Sequence, residues 1–474
     1  MIDDYRPGLT SVEQEVQRDD LPVQGAIPAW LRGTLVRNGP GKFEVGARRM
    51  RHWFDGLALL HKFSFADGRV DYASKFVSSP AYSHARQHGK IGYAEFATDP
   101  CRSIFKRVTT LFAPEFGSNT CVSVAKLADR FVALTESPLP IEFDLRTLET
   151  VGVMPFDDDL TMQQTTPHPH LDTSDGAAIN HAVSFGKTSR YNVYRIDPER
   201  PQRRLIASLP VSEPAYIHSF GLTERHIVIA EYPLVVNTLK LLLSGKAFAE
   251  NLQWKPQRPA QFHVFRRNDG QHVGSYASAP FFCFHHVNAF EQDGALLVDL
   301  LAYPDATVID KLYLDRLRNP QADTPPTPGA ELRRYRLTPG QTSADYETLS
   351  DQRMELPTIN YARSNGKPYR YMYANGLSAE RPIDFLNQLV KVDVTDRTAQ
   401  VWFEPGCYPG EPIFVAAPDA QAEDDGVVLS VVLDGRQGGS FLLVLDARSF
   451  TEIARATVEH AIPFGFHGLF FGEA

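Results

Sequence analysis

The chain has 474 residues, 43% of them hydrophobic and 22% charged, with a net charge of −9 at pH 7. That length carries a large core, and that balance is globular rather than disordered or fibrous. The acidic charge excludes a nucleic-acid binder, which would carry a basic face.

Taken from the start, Asn38-Gly39-Pro40-Gly41 is a strong turn signal, followed by His52-Trp53-Phe54-Asp55-Gly56. The first clear hairpin runs from Lys62 to Phe65, turns at Asp67-Gly68 and continues at Val70. The same unit recurs with turns at Asp144 to Thr147, Asp197-Pro198, Asn268-Asp269-Gly270, Thr338-Pro339-Gly340, Asp393 to Thr398 and Asp446 to Ser449. Seven such units between residues 62 and 456 predict an all-β, seven-bladed β-propeller, each hairpin giving the outer strands of one blade. A propeller closes as one unit, so a single domain over 1–474 is expected. A pair of β-sandwiches is the plainer alternative.

Between the hairpins lie four histidine islands: Thr166 to His170, Ala215 to Phe220, Phe281 to Glu291 and Pro463 to Gly468. Imidazole is a common metal ligand, but a lone histidine among apolar residues is more often a hydrogen-bonded core residue. The remaining gaps hold acids with apolar neighbours: Glu136, Glu355 and Glu411. One inner-strand residue from each gap could reach the propeller axis. With 15 histidines in the chain, spacing alone does not select this set.

Other signals bound the setting. Cys101, Cys121, Cys283 and Cys407 have no paired spacing, so neither a disulfide framework nor a cysteine-bound zinc is expected. Met1 to Leu21 is acidic without an apolar core, and no apolar run approaches the ~20 residues of a membrane span. No signal peptide or transmembrane helix is expected, and the localisation expected is cytoplasmic.

Arg37 to Phe43, His52-Trp53-Phe54-Asp55-Gly56, Thr166 to His170, Tyr216 to Phe220, Phe284 to Ala289, Glu411 to Phe414, Glu423 to Ser430 and Phe466 to Phe470 together resemble the carotenoid cleavage oxygenase family over almost the whole chain. Asp99 to Phe105 is similar to a motif of the branch holding animal β-carotene oxygenases and the visual-cycle retinoid isomerohydrolase. The resemblance implies a seven-bladed propeller, capped by loop and short-helix insertions, with one non-haem Fe(II) on its axis. It implies His168, His218, His285 and His467 as ligands. His170 and His286 then serve packing or stand in a layer behind the ligands. Glu136, Glu355 and Glu411 match carboxylates that back His218, His285 and His467 respectively, and His168 has no such partner.

The chemistry suits those residue types. Four neutral imidazoles leave a divalent ion its charge, and an octahedral ion keeps two positions for oxygen and substrate. The implied reaction is cleavage of a conjugated double bond of a carotenoid or apocarotenoid by molecular oxygen into two carbonyls; central cleavage would give retinal. A retinoid isomerohydrolase, a stilbene-cleaving relative and a non-catalytic propeller scaffold are the alternatives. Thr135 stands where the stilbene-cleaving branch carries a phenol-gripping lysine, which favours an apolar polyene.

A polyene is carried in lipid, so reversible attachment to a membrane surface is expected. Two stretches could dock: Ile104 and Phe105 on one face of a basic helix, and the denser patch of Leu234, Leu239, Leu241, Leu242 and Leu243.

Overall fold

A computed structural model describes residues 4–99, 117–243, 245–320 and 327–473. Ile104 and Phe105, with most of the Asp99 to Phe105 motif, lie outside those residues.

The hairpins form because their turns supply the backbone that strand twist requires. Asp67 and Gly68 sit at φ +51° and +75°, the left-handed pair of a tight hairpin turn. The flanking strands Leu57–Ala66 and Arg69–Phe76 then pair antiparallel. Arg69–Phe76 buries alternate residues, as a half-covered outer strand does. Ala295–Tyr303, deep in its blade, is buried at every position.

Seven blades follow in sequence around one axis. The second runs from Ser123–Leu127 outward to Thr150–Val153, the third from Gln164–Thr165 to Arg203–Val211, and the fourth from Gly221–Leu222 to His272–Ser278. Blades five and six are joined, because Asp345–Ile359 is one long strand. Its first part pairs with Ala330–Leu337 as the outer edge of blade five. Its last part pairs with Tyr371–Gly376 as the inner edge of blade six. Blade seven runs from Cys407–Pro409 and Ile413–Ala416 out to Glu452–Val458.

The ring is closed by both termini. Val23–Gly25 adds an outer strand to blade seven by pairing with Glu452–Val458. Gly468–Gly472 adds the innermost strand to blade one by pairing with Gly33–Lys42. The start and end of the chain therefore each complete a blade begun at the other end.

One expected turn is instead strand. Asn38-Gly39-Pro40-Gly41 lies inside Gly33–Lys42, with a bulge near Pro40. The glycine serves close approach: a Cβ on Gly39 would stand 2.4 Å from the Cα of Gly465. The Asn38 amide spans to blade two, donating to the carbonyls of Thr120 at 2.7 Å and Ser123 at 2.9 Å.

Insertions cover one face. The helices Thr307–Lys311 and Leu314–Arg318 dock on the segment around His52, whose Nε2 lies 3.0 Å from the Ile309 carbonyl. The Trp53 amide donates to Leu312 O at 3.1 Å. No described helix is long and apolar enough to cross a membrane. Cys121, Cys283 and Cys407 are buried free thiols.

The Gly39–Gly465 contact makes a test of how closure bears on the axis. Gly39→Val should destabilise the protein by about 1–3 kcal/mol, as overpacking does. Because Gly465 is two residues from His467, bound metal should fall as well. A melting temperature and metal content both equal to wild type would show that the close approach has no such role.

Candidate metal centre

His168, His218, His285 and His467 come together where the blades meet, with one ring nitrogen from each lying within 4.8 Å of the others. His168 Nε2 is 3.0 Å from His218 Nε2, and His285 Nε2 is 3.1 Å from His467 Nε2.

Of these four and their acids, only His285 and Glu355 stand in strands; His168, His218, His467, Glu136 and Glu411 occupy the irregular segments at the inner strand ends. An inner-strand position for every one of them was expected. Proline explains much of the difference. Pro167 and Pro169 flank His168 and Pro412 follows Glu411, and none has an N–H to give a ladder. The backbone there turns its side chains to the axis instead. The His467 segment is held in place by its neighbours. Its N–H donates to Val122 O, and its carbonyl accepts from the Asn38 N–H at 2.9 Å.

Each of three rings is fixed from behind by a carboxylate. His218 Nδ1 is 2.8 Å from Glu136 Oε1, His285 Nδ1 is 2.5 Å from Glu355 Oε2, and His467 Nδ1 is 2.7 Å from Glu411 Oε1. Among the described residues no carboxylate bonds His168. These contacts match the pairing the family resemblance implies.

The acids are themselves held. The Tyr216 hydroxyl donates to Glu136 at 2.5 Å, and the Tyr303 hydroxyl to Glu355 at 2.7 Å. Arg37 Nη1 donates to Glu411 Oε2 at 2.6 Å, and both side chains are 5% exposed. Burial alone would raise Glu355 and Glu411. The imidazole of His285 and its hydrogen bond on one, and the imidazole of His467 with the Arg37 cation on the other, outweigh it and hold both below the usual carboxylate value. Sequence reasoning singled out none of Arg37, Tyr216 and Tyr303. The available signal was an arginine within the apolar run Leu35-Val36-Arg37, where an unpaired charge could not be buried.

This pairing decides which nitrogen is bare. An ionised carboxylate only accepts, so the Nδ1 atoms of His285 and His467 carry the protons. Their Nε2 lone pairs then face each other at 3.1 Å. Burial pushes His467 down to about 4 and His168 well below its ordinary value, so neither binds a second proton near neutrality. A shared cation is what satisfies such a set of converging lone pairs. Four imidazoles are a donor set that suits a first-row transition-metal ion. The cluster could hold a metal ion.

His170 and His286 lie outside the cluster. His170 bonds the Tyr361 hydroxyl and the Phe220 carbonyl, and His286 bonds the Ser219 hydroxyl.

A cavity of about 810 Å³ opens on the centre, with His218, His285 and His467 on its wall. Trp53, Phe54, Phe96, Phe284 and Phe466 give it an apolar, aromatic lining, and Thr135 lies on it beside Glu136. Its rim includes the exposed hairpin tip Gly186-Lys187 and Leu241 of the helix Thr238–Leu243. Leu234 is a correction. It is 4% exposed, in the strand Leu234–Val236 paired with Leu252–Trp254, and packs into the main core rather than forming a surface patch. Leu239, Leu242 and Leu243 belong to the same short helix, and their side chains lie outside the described residues.

Residues 9–472 match the family profile described as "Retinal pigment epithelial membrane protein". The chain is 36% identical to a mitochondrial carotenoid-cleaving dioxygenase of Mustela putorius furo, over 98% of this chain and 96% of that one. It is 33% identical to a β,β-carotene 15,15′-dioxygenase of Mus musculus, over 98% and 90%. Among solved structures, a cobalt-substituted Synechocystis ACO superposes with a TM-score of 0.88 at 28% identity, covering 99% of this chain and 98% of that one.

Arg37→Met tests the support behind the centre. Leaving the Glu411 charge buried without its partner should cost about 3–5 kcal/mol in a urea titration. Metal affinity should drop by about 10–100-fold, as for loss of an outer partner of a ligand. A variant with wild-type stability and metal retention would show that the Arg37–Glu411 pair does not support the site.

Proposed function

The chain belongs to the carotenoid cleavage oxygenase family, and we propose that it is a non-haem Fe(II) dioxygenase cleaving one conjugated double bond of a carotenoid or apocarotenoid into two carbonyls. The observation that carries this reading is the convergence of four imidazoles on the wall of a large aromatic cavity. His168, His218, His285 and His467 would hold one iron per chain. The bound ion would supply redox chemistry, with positions open to dioxygen and substrate. One dioxygen supplies both carbonyl oxygens, so the reaction needs no further reductant or oxidant.

The chain's own residues do the positioning. Glu136, Glu355 and Glu411 fix the tautomers of their histidines and raise their basicity. Tyr216, Tyr303 and Arg37 keep those acids aimed. The aromatic wall excludes water and accepts a flat, apolar polyene. Thr135 offers no cation for a phenolate, which supports a polyene over a stilbene.

Membrane contact belongs to the same reading. Leu241 lines the cavity, as does the exposed hairpin tip Gly186-Lys187, which supports the helix Thr238–Leu243 as a lipid-touching rim. A few large apolar side chains, each contributing about 1.5–3 kcal/mol on burial, suffice for reversible attachment.

Incubation of the iron-loaded protein with a carotenoid panel should consume one dioxygen per polyene. The masses of the two products should sum to those of substrate and dioxygen. A product retaining the whole carbon skeleton, or no oxygen uptake with any member of the panel, would overturn the reading. On liposomes, replacing Leu239, Leu241 and Leu243 together with Ser should reduce co-sedimentation; wild-type co-sedimentation would move the docking surface elsewhere.

A further inference from the structure

One group on the cavity wall takes no part in the pairings described above. Glu95 lines the cavity between Ala94 and Phe96 and is half-buried. Among the described residues its carboxyl has no ion pair. The nearest acid, Asp55, is fully buried and already satisfied. It accepts from the N–H groups of His52 at 2.9 Å and Ala97 at 2.8 Å, and from the Thr98 hydroxyl at 2.6 Å. Asn119, also on the wall, hydrogen-bonds the Glu95 carboxyl and also serves the Asp55 and Gly56 carbonyls and the Ala58 N–H.

A negative charge on Glu95 would stand between an apolar wall and a second acid, with Asn119 as a hydrogen-bond partner and no cation opposite it among the described residues. Burial, then the Asp55 charge, push its carboxyl well above the ordinary range against the opposing Asn119 hydrogen bond, which favours the protonated form. A neutral carboxyl both donates and accepts, and it needs a partner when water is displaced.

The position ties it to the centre. The neighbouring Phe96 ring packs 5.9 Å from the ring of Tyr216, whose hydroxyl holds Glu136 behind His218. A polyene lying along the aromatic wall would pass both groups.

We infer that Glu95 is a specificity-determining residue whose carboxyl hydrogen-bonds an oxygen-bearing end of the substrate, a hydroxyl or a carbonyl. The enzyme then favours oxygenated polyenes over pure hydrocarbons. This rests on the proposed cleavage of polyenes in the same cavity. The bond also sets how far the chain slides in, and so which double bond lies at the metal centre.

The test uses the iron-loaded protein and a matched pair of probes, β-carotene and its ring-hydroxylated counterpart. Binding is read by quenching of Trp53, which lines the same cavity; turnover is read separately. Wild type should favour the hydroxylated probe by about tenfold or more in Kd and in kcat/KM, since a hydrocarbon displaces water from the carboxyl and returns no hydrogen bond. Glu95→Leu should bring that ratio close to one, mainly through KM. Glu95→Gln, neutral and of the same shape, should keep most of it. A wild-type binding ratio near one overturns the inference even if Glu95→Leu fails to fold, and so does a ratio unchanged in a folded Glu95→Leu. If the hydroxylated probe binds preferentially but neither probe is cleaved, the inference stands and the proposed activity falls.

Discussion

The structure depends on one interaction repeated three times: a buried carboxylate bonded to the far nitrogen of an axial imidazole. Each pairing fixes a tautomer, and so leaves a bare Nε2 facing the axis. Without a cation the bare Nε2 atoms of His285 and His467 oppose each other at 3.1 Å, which is unfavourable. The carboxylates are costly in turn. Each is kept ionised or oriented by a further donor: Tyr216, Tyr303, or Arg37 with the Gly468 N–H. The blades place these groups, and the groups fit a metal.

Ring closure and the centre are the same event. His467 is followed directly by the strand that completes blade one, and its backbone is bonded on both sides to blades one and two. Arg37 arises from that first blade and meets Glu411 of the last. The fourth imidazole thus arrives only when the two ends of the chain meet. Binding a metal there stabilises the closed ring by mass action, as any ligand specific for the folded state does.

Much of this was legible in the sequence, for reasons that differ by element. The hairpins were readable because their turns carry Asp-Gly and similar pairs whose backbone requirements are local. The inner segments were not, because proline breaks the alternation that marks a strand. Asn38-Gly39-Pro40-Gly41 misled for a related reason: glycine marks both turns and close backbone approach, and here it is the latter. The four histidines were named through family motifs, since spacing could not separate them from His170 and His286. Leu234 was misplaced because an apolar run reads the same whether it faces lipid or core. Arg37 and the two tyrosines act across hundreds of residues or through a partner's partner, and no local pattern reports that.

The central claim is that four imidazoles, and no carboxylate or thiolate, bind the metal directly. Iron K-edge X-ray absorption on anaerobically loaded protein measures this most directly. The account predicts imidazole scattering from four nitrogen donors, with the remaining positions filled by light solvent atoms. A spectrum dominated by sulfur or carboxylate donors, or a closed four-coordinate site without solvent, would contradict it.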